Sequence, residues 1–379
     1  MRKALIIAFI LVSVSAQAQQ YQIQQLPKLT ETSGFFGTQA FGLNDNGQVV
    51  GRSYNANTGL NEAVIWNNGV LTGLGFEGLG RAVNNAGTVV GETGWGLLQI
   101  PQGNAFKWDS TNGYMELGNL GTGAGPYYSG AYDINESGVI TGFSFTDTVP
   151  ASSGEPVHGT HGFRYENGTM TDLGEVAPDG YSRGHGINNA GDIVGRASLD
   201  EFDLSSKHLA YWDSGNTLTS IPGTGGSVYS TGQDINNHGQ IVGNGIDTNG
   251  DWLGMVWDSA GNFQHWLDPL GGDLSRAWSI NDDGVIVGHG SDAGGVYHAL
   301  VSFDGGATSQ DLNLLATDLT GWQHLSVASD INEAGTIVGY GYLDNGELGA
   351  FVATVVPVPA AVWMFLSALG ALIGFRKVR

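Results

Sequence analysis

The chain has 379 residues, of which 62 are Gly, 10 are Pro and none is Cys, and its 14 Lys+Arg against 36 Asp+Glu give a formal charge of -22. That balance excludes a nucleic-acid binder built on clustered phosphate contacts, and the missing cysteine excludes a disulfide scaffold, an iron–sulfur cluster, a thiolate zinc site and a cysteine nucleophile. A hydrophobic content of 41% with 13% charged residues is not that of a disordered chain, and abundant glycine without a collagen period predicts many short strands and tight turns.

Residues 1–18 begin with Arg2 and Lys3, continue through ALIIAFILV and end on Ala16-Gln17-Ala18. This order predicts a secretory signal peptide, cut by signal peptidase after Ala18 so that Gln19 becomes the first residue. The alternative, a membrane anchor, is disfavoured because nine apolar residues are too few for a bilayer core of about 30 Å. Taking the five cations of the two chain ends from the 14 leaves 9 basic against 36 acidic residues, a net -27. Such a surface repels polyanions and attracts divalent cations or basic partners.

A strand-like segment, YQIQQLP at 21–27, stands alone before the first repeat. The pattern Asn-x-x-Gly-x-apolar-(apolar or Thr)-Gly then occurs seven times, at 44–51, 84–91, 135–142, 188–195, 236–243, 281–288 and 332–339. Each copy predicts a hairpin with a type I turn and a G1 bulge, Asn opening the turn and Gly taking the positive φ. The seven asparagines are therefore expected to be turn formers.

An aromatic or β-branched third strand follows each hairpin (AVIW at 63, AFKW at 105, GFRY at 162, LAYW at 209, GMVW at 254, ALVSF at 299, AFVA at 350). The recurring Trp66, Trp108, Trp212 and Trp257 there are expected in the core. A fourth strand follows in six units, from GVLTGLG at 69 to SQDLNLL at 309. Four strands per unit of about 48 residues is propeller-blade arithmetic. The last unit lacks its fourth strand, and residues 21–27 supply one. The prediction is an all-β, seven-bladed β-propeller over residues 19–356, closed by the N-terminal strand completing the last blade. A solenoid is the alternative, but its first and last units need not complement each other.

Candidate chemistry is sparse. Asp133, Asp234 and Asp330 share the position two before the Asn, where they can line a central channel, and recurrence at one register points to a local structural bond rather than an acid/base pair. His158 and His161 have a spacing that suits a metal on a helix, but they read as loop entering a strand. Asp247, Asn249, Asp251 and Asp258 resemble part of a calcium loop, with Trp252 where Gly is expected, and an ordinary turn is the simpler reading. The WDS segments at 108, 212 and 257 resemble sialidase Asp-box turns without the full motif, and no Arg cluster accompanies them to hold a carboxylated sugar. No GxSxG, HExxH or Walker motif is present.

At the C-terminus an uncharged run, VVPVPAAVWMFLSALGALIGF, precedes Arg376, Lys377 and Arg379. It reaches the length of a membrane span only if the segment around Pro357 and Pro359 is counted, and the basic end would stay cytoplasmic. The order Pro-x-Pro, apolar helix opening at Trp363, then basic terminus resembles the PEP-CTERM sorting signal of Gram-negative bacteria, with Val358 in place of the usual Glu. That resemblance implies an inner-membrane intermediate, processing by an exosortase and delivery to a cell surface or matrix rich in polysaccharide. A plain tail anchor is the alternative.

The succession of hairpin, aromatic strand and MTDLG-like strand over about residues 34–352 resembles the HAF family of extracellular repeats, named for a His-Ala-Phe tripeptide. Ala105-Phe106, His161-Gly162-Phe163, His298-Ala299-Leu300 and Ala350-Phe351 keep parts of it. The resemblance implies secretion and a repeat fold, and no reaction. The expectation is a non-enzymatic structural or interaction protein of the envelope or exopolysaccharide layer. A glycan- or protein-binding module, suggested by 10 Trp and 13 Tyr, is the nearest alternative, and a polysaccharide lyase or glycosidase the third. No cofactor is expected beyond the calcium candidate.

Overall fold

The computed structural model describes residues 19–30, 37–94, 103–121, 128–150, 156–176, 180–198, 207–221 and 229–357. The expected signal peptide with Ala18, and the sorting segment from residue 358 onward with Pro359, Trp363, Arg376, Lys377 and Arg379, lie outside them. Among the described residues no helix is long and apolar enough to cross a membrane.

Every hairpin of the repeat forms as its residues dictate. In the first, the Gly47 N–H donates to the Asn44 carbonyl at 3.1 Å, the Asn44 N–H to the Gln48 carbonyl at 3.0 Å, and Gly47 takes φ +76°. This is a type I turn closed by a G1 bulge, and it recurs at Gly87, Gly138, Gly191, Gly239, Gly284 and Gly335 with φ between +75° and +86°. The second glycine of the pattern answers a different need. A Cβ on Gly243 would lie 1.8 Å from the Thr231 carbonyl oxygen of the first strand, an overlap that only glycine avoids.

The strands assemble into six antiparallel sheets, five of four strands and one of seven. The large sheet is two four-stranded units joined by one long strand, Val70–Val83. Its first part pairs with Leu60–Asn67 and its last part, from Gly78, with Val89–Thr93. That makes seven four-stranded blades, one per hairpin. The fold is the expected all-β propeller, and the seventh blade is completed as expected. Tyr21–Gln25 pairs antiparallel with Leu348–Val355, Tyr21 opposite Val355 and Gln25 opposite Phe351.

The core lies in the seams between blades. Val194 and Leu209 of blade four pack with Ile235, Ile241, Met255 and Trp257 of blade five, and Val49, Val64 and Trp66 of blade one pack with Val338 and Ala350 of blade seven. Trp66, Trp212 and Trp257 are buried in these seams and Trp108 is half-buried against another, each full burial contributing roughly 1.5–3 kcal/mol. One element departs from expectation. After the two-residue strand Gln310–Asp311, blade six continues as a helical turn, Leu312–Leu315, capped by Asp311 accepting from the Asn313 N–H. Leu312 and Leu315 are both buried, a spacing of three that a turn of helix satisfies and a strand does not.

Candidate functional site in the central channel

The seven asparagines do more than open turns. Each Oδ1 accepts the N–H four residues on, as Asn236 does from Gln240 at 2.9 Å. Each Nδ2 donates to the backbone carbonyl of the corresponding Asn in the next blade: Asn44 to Asn84 at 2.8 Å, Asn84 to Asn135, Asn135 to Asn188, Asn188 to Asn236, Asn236 to Asn281 and Asn281 to Asn332. Asn332 donates back to Asn44 at 3.2 Å, which closes the ring. All seven are buried, at 3–8% exposure. The turn explains an oxygen acceptor, which Asp supplies equally well; the amide donor explains why every copy is Asn.

A second ring lies outside the first. The backbone N–H of the residue after each Asn donates to the side-chain oxygen of its counterpart one blade on, from Asp45 to Asn85 through to Glu333 back to Asp45. These rings frame one end of the channel around a cavity of about 390 Å³.

Asp133, Asp234 and Asp330 form the waist, since they line both this cavity and a second one beyond it. Each carboxylate bridges blades, Asp133 and Asp234 two and Asp330 three. Asp133 accepts from Ile134 and, in blade four, from the Ile187 N–H at 2.8 Å. Asp234 accepts from Ile235 and from Ile280 of blade six, and Asp330 from Ile331, Leu43 of blade one and the Ser279 hydroxyl. Both expectations for these residues, channel lining and structural bonding, hold. Burial, reinforced by the charge of Asp234, raises Asp133 to about 8; burial also raises Asp330, to about 7, and Asp234.

Beyond the waist the repeat stops repeating. In all seven blades the first strand bulges three residues before the Asn, so that one residue drops out of the ladder. The dropped residues are Phe41, Arg81, Tyr132, His185, Gln233, Trp278 and Ser329, and all seven line a cavity of about 410 Å³, within the size range of ligand pockets. A bulge re-aims a side chain that the pleat would otherwise commit to a sheet face. One backbone device thus points seven different side chains at one space.

Five of the six arginines of residues 19–356 gather at this end, a cluster the sequence analysis did not expect. Arg81 is a bulge residue. Arg183 and Arg276 sit two residues before one, and Arg52 and Arg196 sit across the ladder at that level, paired with Gln39 and Arg183. Arg81 is neutralised by buried Glu92 at 2.6 Å, and Arg52 donates to Gln39 at 2.8 Å. Arg196 donates to the Tyr181 hydroxyl at 2.7 Å, Arg183 lies 4.3 Å from the centre of the Phe143 ring, and Arg276 lies 4.1 Å from that of Trp252. Among the described residues no carboxylate pairs with Arg183, Arg196 or Arg276.

This field reaches the histidines. His185 is depressed to about 3 by burial and then by Arg196, Arg183 and Arg81, and His289 to about 4 by burial and Arg276. The neutral His185 ring donates from Nδ1 to the Gly232 carbonyl at 2.7 Å, leaving Nε2 an acceptor. His289 Nδ1 accepts the Trp278 indole N–H at 2.9 Å.

The remaining candidates are structural. Asp247 accepts from the Asn249 and Asp251 N–H groups within its own turn, and Asp258 from Ala260 and Asn262 in another. The strand Trp252–Trp257 separates those turns by about 20 Å, so Asp247, Asn249, Asp251 and Asp258 do not make one calcium site. His158 and His161 lie in one strand, Pro156–Glu166, rather than a loop. The His161 ring contacts Asp172 at 2.8 Å and Glu175 at 3.0 Å; burial alone would lower its pKa, but these carboxylates hold it above the ordinary value. His298 meets Asp311 likewise at 2.6 Å, so in two blades a third-strand histidine pairs with a fourth-strand aspartate.

No protein-family model matches this chain, and no curated protein is significantly similar to it. Solved structures with a similar course of the chain include TolB from Acinetobacter baumannii, at 11% identity and a TM-score of 0.43 over 68% of this chain and 61% of that one. A mutant of AofleA from Arthrobotrys oligospora matches at 11% identity and a TM-score of 0.40, over 90% of each chain. An ulvan lyase of a polysaccharide lyase family matches at 12% and 0.43, over 87% of this chain and 93% of that one. This chain spans less than two thirds of that TolB. Likeness of this degree carries no inference about ligand or activity, which rest on the channel itself.

Proposed function

We propose that this chain is an exported, non-enzymatic interaction module of the envelope or exopolysaccharide layer, and that it holds its ligand in the bulge-lined end of the channel. One observation carries the reading. Seven units that repeat their hairpin, glycines and asparagine differ in every copy at the bulge residue, and those seven residues share one cavity. A position needed for the frame would repeat, as the asparagines do; a position that recognises an asymmetric ligand would not.

Export is supported by the signal-peptide order of residues 1–18 and by the resemblance of the C-terminal segment to an exosortase-processed sorting signal, and the HAF-like repeats fit an extracellular setting. The expected outcome in a host lacking its exosortase is uncleaved protein in the inner membrane, and identical processing with and without the enzyme would reject sorting. For the binding role, isothermal titration against an oligosaccharide panel should find a ligand whose affinity falls at least about tenfold in Trp278→Ala or Tyr132→Ala. Ligands that bind both variants as well as the parent would move the site elsewhere. Turnover of any polysaccharide by the purified protein, lost on changing Asp133 or His185, would replace this reading with an enzymatic one.

A further inference from the structure

Blade four places two arginines directly opposite each other. Arg183 and Arg196 are Cα partners on adjacent strands, an arrangement of like charges that destabilises a sheet. Neither has a carboxylate partner among the described residues, and the Arg183 Nε is buried without any hydrogen-bond partner. Their other partners are neutral, the Tyr181 and Tyr229 hydroxyls for Arg196 and the Tyr132 hydroxyl and Phe143 ring for Arg183, and partly buried guanidinium groups with neutral partners alone gain from an anion that completes them. A chain with 36 acidic residues has ample means to neutralise them and does so at Arg81, one blade pair away.

The surroundings narrow the anion. Phe41, Tyr132, Trp278 and Tyr340 line one cavity with Arg196, Gln233 and Ser329, and Arg183 stands behind that lining, donating to the Tyr132 hydroxyl at 3.4 Å. Flat rings interleaved with small polar groups suit the C–H faces and hydroxyls of a sugar, and a planar guanidinium suits a carboxylate. The strongly acidic remainder of the chain disfavours a long, densely charged polyanion, and the Asp133, Asp234 and Asp330 carboxyls, which line the same cavity, limit how much negative charge can enter. We propose that the cavity binds an acidic saccharide, its carboxylate on Arg196 with the charge of Arg183 behind it, and its rings against Trp278 and Tyr132.

This inference rests on the channel being the binding site, and the test separates the two. The protein is titrated with a galacturonic acid trisaccharide, its carboxyl-reduced neutral counterpart and a hexaglutamate peptide. Binding of the acidic trisaccharide is expected, with at least about tenfold weaker binding of the reduced one and of Arg196→Gln and Arg183→Gln, the loss of a charge-assisted pair. Arg183→Gln should unfold at or above the parent temperature, because a like-charge pair is relieved and its Nε makes no hydrogen bond, whereas a merely structural arginine would lower it. Lys28→Gln, at the distant surface pair with Glu347, should bind as the parent does. Equal binding of the reduced trisaccharide, still sensitive to Trp278→Ala, would overturn the acidic ligand and keep the channel site. Binding of hexaglutamate as tight as that of the sugar would overturn the saccharide. No binding of any probe, or binding indifferent to every channel substitution, would overturn the inference, and the second result would overturn the channel reading with it.

Discussion

The two ends of the channel are built from the same first strands, three residues apart in each blade, and they obey opposite rules. At the hairpin end the same amide occupies all seven positions and makes the same two bonds, so the ring is closed by identity. At the bulge end the residues are Phe, Arg, Tyr, His, Gln, Trp and Ser, and the frame around them does not change. Repetition marks where the backbone is being satisfied, and its failure marks where something other than the backbone is being addressed.

The comparison breaks most readily at closure. Deleting Tyr21 to Pro27 removes the outer strand of blade seven and the fully buried Tyr21, and should cost more than about 4 kcal/mol in urea unfolding. An unchanged midpoint would show that the ring does not depend on this strand. Next in size, Asn236→Asp keeps the turn acceptor but sets a carboxylate oxygen against the Asn281 carbonyl. A loss of about 2–4 kcal/mol is expected, and a neutral substitution would reduce the ring to turn chemistry.

The waist gives a pH signature. Raised carboxyl groups bind more protons in the folded chain than in the unfolded one between about pH 4 and the folded value, which is about 8 for Asp133. Stability should therefore fall as pH rises through that window. Because these carboxyls line cavities rather than a packed core, the effect is moderated, and a difference of about 2 kcal/mol between pH 5 and pH 8 is expected. Asp133→Asn should shrink the difference, and a parent protein that gains stability over this range would contradict the assignment. Smallest of all, Gln233→Ala at the bulge ring should change stability by no more than about 0.5 kcal/mol, although a comparable change at Asn236 would be severe. A cost above about 2 kcal/mol would make the bulge ring part of the frame.

The fold was legible to a large extent. Turn chemistry is local, so Asn-x-x-Gly located every hairpin, and the lone strand at 21–27 revealed how the ring closes. The site was less legible. Residues three before each Asn share no residue type, and a search for recurrence passes over them; the signal was the column where the repeats disagree. Arg52 and Arg276 are far apart in the chain and carry no motif, and the Arg183–Arg196 pairing needs the register of a bulged ladder. Blade six differed for a comparable reason: Leu312 and Leu315 could be read as strand, and only their shared burial selects a helical turn.

Sequence alone determined the number of blades, their strand order and the strand that closes them, because each depends on turn and strand preferences of a few adjacent residues. Tertiary structure decided what the channel is made of. A bulge breaks the two-residue alternation that lets a strand's faces be read from its sequence, and only ring closure brings seven such residues, and the arginines behind them, to one space.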